Sequence, residues 1–310
     1  MKLGIGLSLA NHKFIGGIVS KAFIIEVKTD ESGTSNDNQF EFTGGQGNYD
    51  VVAKQNNIIV QTFSDLSDDA TITFANGAGT YVLEVTPKEA SPFNRIRFRF
   101  NESNDSDKFL DIKQFGTTLW TSMEEAFSDC TNLVGTYTDV PNLINVTDMR
   151  RMFRGANFNN IVTGWNVSNV TDFTETFIFC NNFNQDLSSW DTSKGINFGN
   201  FLRGTSFNQP LVNAVTSNAT EIDGMLRDTP FDQDISSWDV SNVIDFSGFL
   251  EGGELSPTNY DLLLNSWAYQ NVKPNQSFHA GTSKFTSAGQ VARDRFIQFH
   301  NWSIIDGGLI

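Results

Sequence analysis

Phe183-Asn184-Gln185-Asp186-Leu187-Ser188-Ser189-Trp190-Asp191 decides the fold, because it returns as Phe231-Asp232-Gln233-Asp234-Ile235-Ser236-Ser237-Trp238-Asp239. Its surroundings return as well: Thr171-Asp172-Phe173 and Phe177 precede the first copy, Glu221-Ile222 and Leu226 the second. The opening apolar residues of six copies are Met123, Met149, Phe173, Phe198, Ile222 and Phe246, at steps of 26, 24, 25, 24 and 24 residues. A period this constant predicts a stacked array, in which each unit hides its apolar side only against its neighbours.

Two patterns alternate inside each repeat. The first is an apolar pair four residues apart: Met123/Phe127, Met149/Phe153, Phe173/Phe177, Phe198/Leu202, Ile222/Leu226 and Phe246/Leu250. That spacing predicts one helical turn, with Thr147-Asp148 and Thr171-Asp172 supplying a hydroxyl cap and an acidic first turn. The second is an extended stretch with a large ring at Phe158, Phe183, Phe207 and Phe231 and a short strand around Leu187 or Ile235. Stacking draws these rings into one column that no single repeat could keep dry.

Outward from the array, residues 22–107 predict a β-sandwich. Phe23–Val27, Gln39–Thr43, Tyr49–Ala53, Ile58–Phe63, Thr71–Phe74, Thr80–Val85 and Arg95–Phe100 are rich in β-branched and aromatic residues, with turn clusters such as Gly44-Gly45-Gln46-Gly47-Asn48 between them. The last of these strands is expected to bury Ile96, Phe98 and Phe100 and to point Arg95, Arg97 and Arg99 outward as a solvated edge. Asn101 to Asp107 reads as a polar connector, so a domain boundary falls there. Residues 108–255 form the repeat region and 256–310 a C-terminal cap.

Residues 1–21 are a separate arm. Leu3, Ile5, Leu7 and Leu9 alternate with Gly4, Gly6 and Ser8, a period-two strand with one apolar and one bare face. It reads as an anchoring strand that docks on another structural protein or subunit; the alternative is a first strand of the next domain. Its apolar run is short and half glycine and serine, which argues against an export signal.

The chain has 310 residues, 39% hydrophobic and 18% charged, with a net charge of -15. An acidic surface with scattered cations excludes phosphate backbones and anionic lipid as partners, and no apolar run reaches the roughly 18 residues of a spanning helix.

The phrases Phe183 to Asp191 and Trp238-Asp239-Val240-Ser241-Asn242-Val243 resemble the repeat of the BspA-like leucine-rich-repeat surface proteins. The end is similar to the family's closing cap: Asn259 to Trp267, Phe278 to Phe285 and Asn301 to Gly308, with helices expected near Asn259–Ala268 and Ala288–Phe299. Gly79 to Val85 resembles the domain that often precedes such arrays. The Trp-Gly-Asp-Gly turn of that domain is absent, because Tyr49 to Lys54 stands in its place. The resemblance implies an α+β chain, a β-sandwich followed by a leucine-rich-repeat-like solenoid of about six 24–26-residue repeats and a helical cap.

It also implies an adhesin or surface-binding role, and similar chains occur among bacteriophage virion proteins. Without a recognisable export signal or lipid-anchor cysteine, the expectation is a phage spike or tail-tip protein on the virion surface that attaches to the host. It would be held to another virion structural protein through Leu3, Ile5, Leu7 and Leu9, and would be a homo-oligomer. The alternatives are a bacterial cell-surface adhesin and a purely structural virion protein.

Competing chemistry finds little support. Cys130 and Cys180 sit at equivalent places two repeats apart, about 10 Å at a stacking distance of about 5 Å, beyond disulfide reach. His12, His279 and His300 have no ligand spacing. Asp186, Asp234, Asp191 and Asp239 recur with the repeat and are expected to bond nearby backbone. No catalytic residue, metal site or cofactor is predicted. Arg154, Arg203 and Arg227 each follow the second apolar residue of their repeat, which predicts a basic stripe, either paired with nearby Asp or facing an acidic host glycan or protein. Gln185 and Gln233, with Asn184, Asn208 and Gln209, mark an alternative polar contact face.

Overall fold

The computed structural model describes residues 22–88, 92–98, 104–211 and 217–310. Leu3, Ile5, Leu7, Leu9, Arg99 and Phe100 lie outside them.

The strands are β1 (Phe23–Lys28), β2 (Gln39–Phe42), β3 (Asn48–Gln55), β4 (Ile58–Ser67), β5 (Ala70–Thr73), β6 (Thr80–Pro87), β7 (Phe109–Gln114) and β8 (Val134–Gly135). After the repeats come α1 (Pro257–Trp267), β9 (Ser277–His279), β10 (Lys284–Phe285), α2 (Ser287–His300), β11 (Ser303–Ile305) and β12 (Gly308–Leu309). Alternation dictates the first of these: Phe23, Ile25 and Val27 of β1 are buried, while Ile24, Glu26 and Lys28 are half-buried. Pro257 at the start of α1 needs no intrahelical donor, and α2 is capped by the Thr286 hydroxyl, which accepts from the Ala288 N–H at 3.1 Å.

The structure corrects the expected fold class. Regular secondary structure is mostly sheet, and its largest element is one mixed six-stranded sheet in the order β4-β3-β6-β1-β7-β8. The only helices longer than one turn among the described residues are the two near the C-terminus. In place of a sandwich closing before residue 107, β1 pairs with β7 and β7 runs parallel to β8, so the sheet continues into the first repeat. The β2–β5 ribbon lays Phe40 and Phe42 against Phe109 and Tyr49. Residues 92–98 form no strand: Ile96 and Phe98 are buried, and Arg95 and Arg97 pair with Glu124 and Glu125.

Nor do the repeats contain the expected solenoid of helical turns and short strands. Backbone conformation explains why. Two residues after each opening apolar residue, Glu125, Arg151, Glu175, Asn200, Gly224 and Gly248 have positive φ; four residues later, Asp129, Gly155, Phe179, Gly204, Asp228 and Gly252 do too. A left-handed residue every four positions breaks a helix and leaves a chain of tight turns. Alternate N–H groups close those turns, as Met152 to Met149 O and Ala156 to Phe153 O. The others cross to the next repeat: Met149, Arg151, Phe153 and Gly155 donate to the carbonyls of Asp172, Thr174, Thr176 and Ile178 at 2.8–3.0 Å. Helical spacing misleads here because Met149, Met152, Phe153 and Ala156 all point inward, as they would on a helix.

The same crossing bonds join Phe173, Glu175, Phe177 and Phe179 to the carbonyls of Asn197, Gly199, Phe201 and Arg203. Parallel bridges Asp148–Asp172–Asn197–Glu221–Asp245 keep that register. Inside, Phe158, Phe183, Phe207 and Phe231 stack with centroids 6.4, 6.2 and 6.2 Å apart, and Phe127, Phe153 and Phe177 do so at 5.4 and 5.7 Å. These rings are fully buried and belong to one core with the residues of the sheet.

Candidate functional site

The register of the repeats places like positions side by side and so builds two polar faces. On the first, formed by the turns, acidic and basic residues neutralise each other. Arg150 reaches Glu124 at 2.8 Å and Asp148 at 3.0 Å, and Arg151 reaches Glu175 at 2.7 Å and Glu125 at 3.4 Å. Hydrogen bonds to Asp148 and to Glu175, respectively, are the main cause of the upward shift of these two guanidinium pKa values.

The expected basic stripe lies on this face but is interrupted. Arg154 donates to Asp129 at 2.7 Å. Buried Ile178 takes the equivalent position in the next repeat. Arg203 lies with its guanidinium 5.3 Å from the Phe179 ring centroid and Nε 3.6 Å from Asp228. Arg227 pairs with Glu251 at 2.9 Å. Burial pushes the Asp129 carboxyl up, with Arg154 opposing, and burial with the charges of Asp245 and Glu221 pushes Asp223 up. A cleft of about 280 Å³ opens among Asn200, Arg203, Asp223, Arg227 and Glu251.

The second face is an amide ladder. The Asn159 Oδ1 accepts the Asn184 N–H at 3.0 Å, Asn184 Oδ1 that of Asn208 at 2.9 Å, and Asn208 Oδ1 that of Asp232 at 2.9 Å. Asp232 then accepts from Ser256 at 2.8 Å and ends the series at α1. The same oxygens take a second bond, Gln185 Nε2 donating to Asn159 Oδ1 at 2.9 Å and Gln233 Nε2 to Asn208 Oδ1 at 2.9 Å. Gln185 and Gln233 are thereby fixed, and their side-chain carbonyl oxygens have no partner among the described residues. Beside the ladder runs a groove of about 500 Å³ lined by Val134, Asn157, Asn159, Asn160, Asn182 and Ser206. The Asn160 Nδ2 is shielded from solvent there and has no partner among the described residues. Repeated amides were legible in the sequence; the groove was not, because Val134 and Gly135 reach it through the pairing of β8 with β7.

The other sequence candidates are structural. Asp186, Asp191, Asp234 and Asp239 each accept the N–H two residues on, at 2.8–3.0 Å. Cys130 and Cys180 are free and buried, and desolvation raises both thiols, Cys180 to about 12. His279 Nδ1 accepts from the Gly281 N–H and His300 Nε2 is buried with no partner among the described residues, while His12 lies outside them. Among the described residues no cluster of three His, Cys, Asp or Glu could hold a metal ion, and no helix is long and apolar enough to cross a membrane.

No curated protein matches the chain, and no solved structure does. The model of one family matches residues 121–230 and 200–292, the segments that carry the BspA-like resemblance, and supports that resemblance at the level of the repeats. Those segments span more than half of the sequence, so the chain belongs to the DUF285 family, described as Mycoplasma protein of unknown function.

Proposed function

We propose that the chain is an attachment protein that holds a host-surface saccharide without altering it. The observation that carries this reading is the amide face. Its asparagines and glutamines are fixed by the ladder, and open donors and acceptors face solvent beside a groove of about 500 Å³. Preordered neutral amides suit sugar hydroxyls, which both donate and accept, and little side-chain entropy is lost on binding. The charged face suits the role less, since its arginines are matched by Asp129, Glu175, Asp228 and Glu251.

The setting we propose is a spike or tail tip on a virion, in a homo-oligomer anchored through residues 3–9. The second reading is a bacterial cell-surface adhesin, favoured by the family's description as a Mycoplasma protein. Labelled protein should be retained by host cells, purified surface polysaccharide should compete, and Gln185→Ala with Gln233→Ala should weaken retention. Absence of retention on every cell type tried, or release of new reducing ends from the polysaccharide, would refute the reading. Gold-labelled antibody on particles or on cell envelopes separates the two settings.

A further inference from the structure

We propose a second ligand site at the C-terminal end, where Tyr269, Arg295 and Phe299 form a platform for a carboxylate-bearing sugar. This extends the attachment reading and rests on it for its biological meaning, but its geometry is independent of the amide face. Val291, Arg295 and Phe299 recur every four residues along α2 and so share one side of it. Tyr269 follows the end of α1 and meets that side. The Arg295 guanidinium carbon lies 5.0 Å from the Tyr269 ring centroid and 5.2 Å from that of Phe299. Its Nε donates to the Ala268 carbonyl at 2.9 Å, which fixes the plane and leaves both Nη groups for an outside acceptor.

Two contrasts single this arginine out. Arg95, Arg97, Arg150, Arg151, Arg154, Arg203, Arg227 and Arg293 each have a carboxylate within 4 Å, as expected in a chain of net charge -15. Among the described arginines, Arg295 alone has none. The rings around it are also open: Tyr269 is 61% and Phe299 70% exposed, in a protein whose core buries most of its other rings. A guanidinium fork matches a carboxylate through two parallel N–H···O bonds. The guanidinium covers one face of each ring, and the exposed remainder of the rings fits the apolar C–H side of a pyranose. An acidic peptide would satisfy the guanidinium, but a uronic or sialic-type sugar carries its carboxylate on the same rigid ring that presents the C–H face, and the pairing favours it.

The test is titration of the whole chain with hexuronate oligosaccharides and sialyl-lactose, against neutral dextran oligosaccharides and an acidic peptide. Acidic sugars should bind, neutral sugars should not bind at this place, and Arg295→Gln, which also gives up the bond to the Ala268 carbonyl and so lowers the melting temperature somewhat, should weaken acidic-sugar binding by about ten- to a hundredfold in protein whose circular dichroism shows the fold retained. Tyr269→Ala and Phe299→Ala should each weaken it by about tenfold. Failure of the unaltered chain to bind any acidic sugar, equal binding by Arg295→Gln, or preference for the peptide overturns the proposal. Cells that retain Arg295→Gln as well as the unaltered chain would sink this site and leave attachment through the amide face standing. Acidic-sugar binding without any cell retention would do the reverse.

Discussion

Replacing Gly204 by Ala tests the turn-chain account of the repeats directly. Gly204 has φ +70, and a Cβ built there meets Phe179 Cδ1 at 2.7 Å and Cε1 at 3.2 Å. Phe179 is pinned in turn, because the Arg203 guanidinium lies over its ring. Two costs therefore add: about 1–2 kcal/mol for an L-residue in the left-handed region and about 1–3 kcal/mol for displacing the Phe179 ring, which is 41% exposed but would have to leave its place under Arg203. Gly248 is the control, since it has φ +63 but its nearest contact is the flexible Glu251 Oε2 at 3.3 Å. Gly248→Ala should cost about 1–2 kcal/mol and Gly204→Ala about 2–5 kcal/mol in all. Urea midpoints at constant slope measure both. In the double variant Phe179→Ala/Gly204→Ala the steric part should vanish, giving a favourable coupling of about 1–3 kcal/mol. Equal costs at Gly204 and Gly248, or strict additivity with Phe179→Ala, would refute the reasoning.

Asp223 carries a pKa raised by burial and by Asp245 and Glu221, so its ionised form opposes folding; the stability it contributes is present when protonated and is lost as pH rises through its folded pKa. Asp223→Asn should accordingly raise the urea midpoint at pH 7, by an amount that shrinks toward zero as pH falls through the aspartate range. Lys108 is buried beside buried Asp105, 3.7 Å away, and donates to carbonyls of Ser35 and Asn36 at 2.8 and 3.0 Å; Lys108→Met, by leaving Asp105 unmatched, should cost about 3–5 kcal/mol in chemical denaturation. Because burial raises both thiols, Cys130 and Cys180 should resist a disulfide-exchange reagent at pH 8 in the folded protein and react fully once it is unfolded in urea.

The period of the repeats and six of the seven N-terminal strands were legible because each rests on a pattern that burial imposes directly. Phe158, Phe183, Phe207 and Phe231 recur in sequence because they stack in space. The four-residue apolar pairs misled, since a one-dimensional pattern records which side chains point inward and not the sign of φ between them. The residues at the left-handed positions gave a weak signal: Asn200 and the glycines suit it, but Arg151, Glu175 and Phe179 disguise it. Asn101 to Asp107 read as a polar connector by composition, yet Asp105 is fully buried, accepting N–H bonds from Ser35 and Glu41. Its partners lie 70 and 64 residues away, and no local window shows them. The platform at Tyr269, Arg295 and Phe299 was hidden for the same reason.

The glycines of the second left-handed position show how a strict period tolerates variety. Down the chain that position holds Asp129, Gly155, Phe179, Gly204, Asp228 and Gly252, a side chain alternating with none. A Cβ on Gly155 would meet Asp129 Oδ1 at 2.6 Å, one on Gly204 the Phe179 ring, and one on Gly252 Asp228 Oδ1 at 2.2 Å. Each side chain thus lies across the bare neighbour that follows it. The spacing of the repeats does not itself forbid side chains in succession, since the first left-handed position carries Glu125, Arg151, Glu175 and Asn200 one after another; the alternation belongs to the second position, where each side chain folds over the repeat that follows. The same arrangement directs Asp129 toward Arg154 and Phe179 beneath Arg203. At this one position the alternation leaves a charged or aromatic side chain in every second repeat. The arginines of the turn face each have a carboxylate within reach, whereas Arg295, on α2 and outside the repeats, has none among the described residues and lies against aromatic rings instead.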